Sequence, residues 1–261
     1  MRINFLVEGD FYQYYSDYME SLVKNIPNSV IHIFSTERGV RKILELPGIH
    51  IFLKTVPNYI TEGAIGLLNM EQLTSENQVS WTRCYYTALL DYSLENMKVY
   101  KNVTVPTYYL PYQYNSDEIY NYPKTKGACF VGLNENARRG NIIAKIPGIT
   151  VMETVYGKER DNELFRHKVL VNVHYSSQFT VHEQVRTTRC IFNKMIVVSE
   201  SSSDDSLVPL RDFMIIVPYN EIPNMVLRVL ANYEYYYNQL FSRSFDDVRK
   251  TLAKPLLEFQ Q

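Results

Sequence analysis

CFVGLNENARRGNII (129–143), VYGKERDNELFRHKVLVNVHY (155–175) and HEQVRTTRCIFNKMIVVSE (182–200) decide the fold. Short apolar runs, ACFVGL, ITVMETV, VLVNVHY and MIVVSE, read as buried strands. Polar stretches with apolar residues at helical spacing separate them: ENARRGNIIAKI, ERDNELFRHK and HEQVRTTRCIFN. FMIIVPY (213–219) adds a last strand, and the chain from Ile222 onward reads as helical apart from its breaks. Strands that alternate with crossover helices predict a parallel sheet.

The first half repeats the theme. RINFLV (2–7) reads as a strand, GDFYQYYSDY (9–18) as a loop running into a helix, and VIHIF (30–34) and IHIFLK (49–54) as strands around the helical ERGVRKILEL (37–46). GLLNMEQLT (66–74) reads as strand and turn, WTRCYYTALLDY (81–92) as a helix, and KVYKNVTVPTYYLPY (98–112) as strand material broken by prolines. QYNSDEIYNYPKTKG (113–127) loses apolar periodicity and gathers Asn, Asp, Pro and Gly, which is connecting composition. The expected division therefore falls near residue 124: a lobe over 1–124, a second over 125–240, and a C-terminal helix over 241–261 placed to cross back to the first.

Net charge is -1, so no summed positive field draws in nucleic acid or an anionic membrane, and any anion must be held by a local pocket. The opening MRINFLVEGD carries an apolar run too short for a signal-peptide core or membrane span, giving the expectation of a cytoplasmic chain. Cys84, Cys129 and Cys190 are odd in number and widely spaced, which suits reduced core thiols. Tyrosine is abundant, at 22 residues, supplying flat, hydrogen-bonding surfaces suited to sugars or to interfaces.

The sequence has no G-x-G-x-x-G, P-loop, H-E-x-x-H, C-x-x-C or G-x-S-x-G, which removes the main support for dehydrogenase, P-loop kinase, zinc protease and esterase readings. It has no Asp-x-Asp either, so a bound metal is not expected. Candidate residues lie at the carboxyl ends of the expected strands, where open α/β sheets bind ligands. Gly132, Leu133 and Asn134 form a strand-to-helix loop able to offer backbone N–H groups to an anion. Arg138 and Arg139 follow within a turn and can fork onto phosphate; a solvated basic helix face is the alternative. Val155, Tyr156 and Gly157 end an expected strand, Tyr156 offering a ring to stack on a nucleobase. His174 and Tyr175 close VLVNV, His174 serving either as a donor to diphosphate or sugar or as a structural histidine. Glu183 and Arg186, three residues apart, share a helix face with Arg189, and the carboxylate can accept both ribose hydroxyls or simply pair within the helix.

The block 129–200 resembles the donor-binding lobe of GT-B glycosyltransferases, especially compact ones from bacterial polysaccharide loci and large DNA viruses of algae. The resemblance implies two Rossmann-like lobes facing each other across a cleft, with C-terminal helices packing back. It implies metal-independent transfer of a sugar from a UDP-sugar or GDP-sugar to a hydroxyl of a glycan acceptor, with no other cofactor; no second Glu stands eight positions after Glu183, which leaves inversion or retention open, and inversion is the expectation. It assigns Glu183 to the ribose, Arg186 to diphosphate or pocket support, and Glu200 to orienting the pocket or capping loop 201–206. In the first lobe it implies acceptor binding around GDFYQYYSDY, with Tyr12 nearby and Asp10 as general base, Glu8 and Asp17 as its rivals, and Glu71 touching acceptor or donor sugar. A nucleotide-sugar epimerase of the same fold and a non-catalytic carbohydrate-binding protein are the competing readings.

Overall fold

The computed structural model describes residues 2–60, 65–73, 86–153 and 155–260. Cys84, and the stretch WTRCY (81–85) expected to open a helix, lie outside them. The chain divides into two compact units, Met1–Asn115 with Leu252–Gln261, and Ser116–Thr251. The change of unit thus comes at Asn115/Ser116, where composition places it near residue 124.

In the first unit six strands run parallel in the order β2-β1-β3-β4-β5-β6. They are β1 (Ile3–Glu8), β2 (Ser29–Phe34), β3 (Ile49–Leu53), β4 (Ile65–Asn69), β5 (Ala88–Asp91) and β6 (Thr107–Tyr109). Ile3 of β1 lies opposite both Ser29 and Ile49, so β1 is covered on each edge. β1 from Ile3 to Val7 and all of β4 are buried without alternation, as strands covered on both faces are. Helix α1 (Gly9–Asn25) follows β1 without a loop and buries Tyr18, Met19 and Leu22. Residues 9–18, expected as a loop, are therefore its first turns. Helix α2 (Glu37–Leu44) is capped by Thr36, whose hydroxyl accepts from Gly39 N at 3.2 Å. ALLD (88–91), expected within a helix, is β5, buried between β4 and β6. The short α3 (Leu94–Met97) is capped by Ser93. Leu6, Phe34, Val40, Phe52, Ile65, Leu67, Leu89 and Tyr100 form the core on one side.

The second unit is a five-stranded parallel sheet, β11-β10-β9-β7-β8, built from β7 (Lys126–Val131), β8 (Thr150–Met152), β9 (His167–Asn172), β10 (Ile196–Glu200) and β11 (Met214–Val217). Its helices are α4 (Ala137–Ile143), α5 (Gly157–Leu164), α6 (Gln184–Phe192), α7 (Ile222–Ala231) and α8 (Tyr233–Phe241), followed by α9 (Asp246–Phe259), whose last part counts with the first unit. Strand β8 stops at Met152, so Val155 and Tyr156 lie beyond it and Tyr156 is the N-cap of α5, correcting their expected place at a strand end. Both sheets share one logic: the chain steps outward from the first strand to the second, then returns to the first strand's other edge. That reversal opens a crevice at the carboxyl ends of β1/β3 and of β7/β9, the usual ligand position in such sheets.

Candidate functional site

In the second unit the β7/β9 crevice gathers three guanidiniums and two carboxylates. Asn136 caps α4, its side chain accepting from Arg139 N at 2.9 Å, and this sets the helix so that Arg138 and Arg139 leave it in different directions. Arg138 makes a two-pronged pair with Glu200 at the end of β10, Nη1 to Oε2 at 2.8 Å and Nη2 to Oε1, and gives a further bond to the His174 carbonyl at 3.0 Å. Its guanidinium also lies 4.2 Å over the Tyr219 ring. Arg139 is only 4% exposed and spreads its donors over the Val173 carbonyl (3.2 Å), the Leu133 carbonyl (3.0 Å) and Glu183 Oε1 (3.3 Å). Burial, with the nearby Arg186 charge, pulls Arg139 down to about 10, so it stays charged at neutral pH.

Arg186 closes the set, donating to Asn172 Oδ1 at 2.8 Å and pairing with Glu183 Oε2 at 2.6 Å. Arg189 turns away from this group to Asp161, with contacts of 2.8 and 2.9 Å. Gly132 has φ +127°, and a Cβ there would stand 3.1 Å from Arg186 Nη2. Its N–H is given to the Met152 carbonyl at 3.0 Å, so of the loop amides expected to face an anion this one serves the sheet. Asn134 gives its own N–H to Glu153 at 3.2 Å.

Two polar atoms are left over at the ends of the adjacent strands β7 and β9: Asn134 Oδ1 and His174 Nδ1 are buried with no partner. His174 is 2% exposed, and burial lowers its pKa, so the ring is neutral. Its Nε2 stands 3.3 Å from the Ser201 carbonyl and 3.2 Å from the Ser202 hydroxyl, so it is satisfied whether or not it carries the proton, and Nδ1 is open as either a donor or an acceptor. Tyr175 is 44% exposed, with the Arg139 guanidinium 5.2 Å from its ring.

The first unit carries the remaining candidates. Asp10 sits exposed in the first turn of α1. Asp17, its rival as a base, is buried on the inner face of that helix, while Glu8 is exposed at its N-cap. Tyr12 gives its hydroxyl to Glu20 at 3.1 Å along the helix surface. Glu71, just beyond β4, accepts from Tyr15 OH at 3.0 Å and from Lys54 Nζ at 2.7 Å, the lysine also lying 4.5 Å over the Phe11 ring. Lys54 ends β3 with φ +67°, a costly conformation for a lysine, and sequence reading missed it because nothing in FLKT marks it. Among the described residues no group of three or more His, Cys, Asp and Glu side chains is arranged to hold a metal ion. No described helix is long and apolar enough to cross a membrane.

No protein-family model matches the sequence. Two uncharacterized proteins of Acanthamoeba polyphaga mimivirus are similar to it: one is 30% identical over 263 residues, covering 88% of this chain and 29% of that protein. The other is 28% identical over 242 residues, covering 86% of this chain and 78% of that protein. The chain therefore spans less than a third of the first of these relatives. Among solved structures, Anabaena HepE in complex with UDP and glucose superposes with a TM-score of 0.65 at 8% identity, over 99% of this chain and 100% of that one. The DNA-modifying enzyme β-glucosyltransferase, studied with and without uridine diphosphoglucose, gives a TM-score of 0.63 at 12% identity, over 100% and 97%. A Listeria monocytogenes protein assigned provisionally as a UDP-N-acetylglucosamine 2-epimerase gives 0.53 at 8% identity, over 98% and 95%. With two parallel α/β units whose strand orders reverse alike, and these likenesses along nearly its whole length, the chain has the GT-B fold.

Proposed function

We propose that this chain is a glycosyltransferase that moves a sugar from a UDP- or GDP-sugar to a hydroxyl of a glycan. The observation that carries the reading is the gathering of Arg138, Arg139 and Arg186, with Glu183 and Glu200, at the strand-order reversal of the second unit. Three guanidiniums held by two carboxylates leave positive charge in a partly dehydrated crevice, which favours a diphosphate and offsets the charge it gains on departure. The unpartnered Asn134 Oδ1 and His174 Nδ1 support a ligand rich in hydrogen-bonding groups, as a nucleotide-sugar is. In this reading Glu183 takes the ribose, Tyr156 at the N-cap of α5 supports the base, and Gly132, Tyr175 and Arg186 shape the pocket. Transfer proceeds with inversion and without a metal, Asp10 removing the acceptor proton while Glu71 contacts a sugar hydroxyl.

The likeness to solved HepE and β-glucosyltransferase complexes, both concerned with UDP or UDP-glucose, supports the choice of donor class. The test begins with thermal melts against UDP, GDP, UDP-glucose and GDP-fucose. A ligand at one hundred times its dissociation constant adds about 2.7 kcal/mol. The stabilising nucleotide-sugar is then followed with glycan acceptors. Acceptor-dependent release of free nucleoside diphosphate, abolished by Asp10→Asn and unchanged by EDTA, is expected. Conversion of the donor to an epimer without that release points to the epimerase, and glycan binding indifferent to nucleotide points to a non-catalytic protein.

A further inference from the structure

Asp91 ends β5 with no exposed surface. Its two oxygens collect four donors: Asn69 Nδ2 at 2.7 Å and Tyr100 OH at 2.8 Å on Oδ2, Ser93 N at 2.8 Å and Asn96 Nδ2 at 3.0 Å on Oδ1. None of these four donors is a cation. The two asparagines so oriented grip the segment beyond β4. Asn69 takes the Glu71 N–H at 2.9 Å and returns a bond to the Glu71 carbonyl at 2.9 Å; Asn96 donates to that same carbonyl at 2.9 Å and takes the Leu73 N–H at 3.0 Å. The backbone bearing Glu71 is thus held by two side-chain amides whose orientation a buried carboxylate dictates.

We infer that Asp91 is a positioning residue: in its ionised form it locks the Asn69 and Asn96 amides and so fixes Glu71 where it meets the sugar. The inference rests on the role proposed for Glu71. The four donors favour the anion: on protonation only the Tyr100 hydroxyl can turn to accept the carboxyl O–H, and the two amides and the Ser93 N–H are left on a weaker, uncharged acceptor. Burial pushes the Asp91 pKa up to about 7 against the pull of its hydrogen bonds, so the lock loosens within the accessible pH range. The titratable groups facing it are the tyrosines Tyr100 and Tyr18, the latter on α1 with its hydroxyl given to the Leu110 carbonyl at 2.6 Å. Both of these stay neutral through that range, burial raising each.

The test is amide exchange of Glu71 and Leu73, corrected for the rate of the unstructured chain, between pH 5.5 and 8.5. In the intact protein protection of these two amides should fall about tenfold as pH drops through the Asp91 transition, while the amides of β1 hold theirs. Asp91→Asn should leave them unprotected at every pH. Tyr100→Phe removes one donor from the carboxylate without changing ring volume, so the transition should move to higher pH, and it serves if Asp91→Asn fails to fold. Protection independent of pH in the intact protein, or a Tyr100→Phe profile that coincides with it, overturns the inference. Glu71→Gln leaves the lock in place, so full activity in that variant would dismiss the role of Glu71 while the exchange experiment still judges the lock.

Discussion

At the scale of single residues, the site depends on backbone that only one amino acid tolerates. Gly132 holds φ +127° beside the Arg186 guanidinium, where a methyl group would stand a tight 3.1 Å from Nη2. Gly132→Ala should cost about 1–3 kcal/mol from the conformation alone. It should also push Arg186 off Asn172 Oδ1, weakening the stabilising nucleotide's binding more than the melting temperature. Calorimetric titration beside a thermal melt checks this; unchanged affinity would detach Gly132 from the pocket. The grouping of these residues was largely legible: Gly-x-Asn before an Arg pair, and Glu three residues before Arg, place charged side chains at strand ends and on one helix face. Their partners were not legible. Arg138 finds Glu200 across 62 positions and Arg139 finds Glu183 across 44, contacts made by strand order and not by neighbourhood in the chain. Asp91 escaped notice because ALLDY looks like an ordinary apolar run, and only its depth in the sheet turns the carboxylate into a buried hub.

At the scale of elements, the second unit is pinned by an ion cluster set apart from the crevice. Asp161 on α5 accepts two bonds from Arg189 on α6, one of 2.8 Å from Nη1 and one of 2.9 Å from Nη2, and it also meets Arg160 at 2.8 Å and Tyr120 OH at 3.2 Å. Glu118 reaches the same Arg189 at 3.6 Å. Removing one partner strands buried charge, so Asp161→Asn should destabilise the unit by about 3–5 kcal/mol. Burial raises the Asp161 pKa, but the Arg189 bonds and charge outweigh it and hold it below the ordinary value. The stabilisation is therefore complete above the unfolded pKa of about 3.9 and is lost as pH falls through the lower folded value. Urea melts across pH 2–6 should show an acid-sensitive limb that Asp161→Asn flattens; parallel curves would contradict it. Residues 116–124 read as connecting sequence yet pack with the second unit because the Asn193 amide, just past α6, accepts from the Tyr120 N–H and donates to the Glu118 carbonyl, contacts that periodicity ignores. Most strands were legible because both-face burial writes apolar runs, but β5 was not, its ALLD being read with the residues before it as a helix. GDFYQYYSDY was not, since aromatic and polar residues mask a helix whose inward face begins only at Asp17.

At the scale of the whole molecule, the chain leaves its first unit at Asn115 and rejoins it at Leu252. Leu252 and Leu256 are each 2% exposed, the Gln113 amide donates to the Leu252 carbonyl at 2.8 Å, and Phe259 meets Tyr108 edge-on at 5.2 Å. Pro255 has no N–H for the Thr251 carbonyl, so the helical ladder of α9 is interrupted where the chain passes from one unit to the other. The last ten residues consequently belong energetically to a sheet formed far earlier in the sequence. A chain ending at Thr251 loses two buried leucines, and each such loss from a core costs about 2–5 kcal/mol. The first unit should then unfold in an earlier, separate transition, while the arginine crevice of the second keeps its partners and its response to nucleotide. Differential scanning calorimetry with and without the stabilising nucleotide distinguishes the outcomes. Loss of the nucleotide-dependent shift would mean that donor binding draws on the first unit as well, because every residue assigned to the diphosphate lies between Ser116 and Thr251.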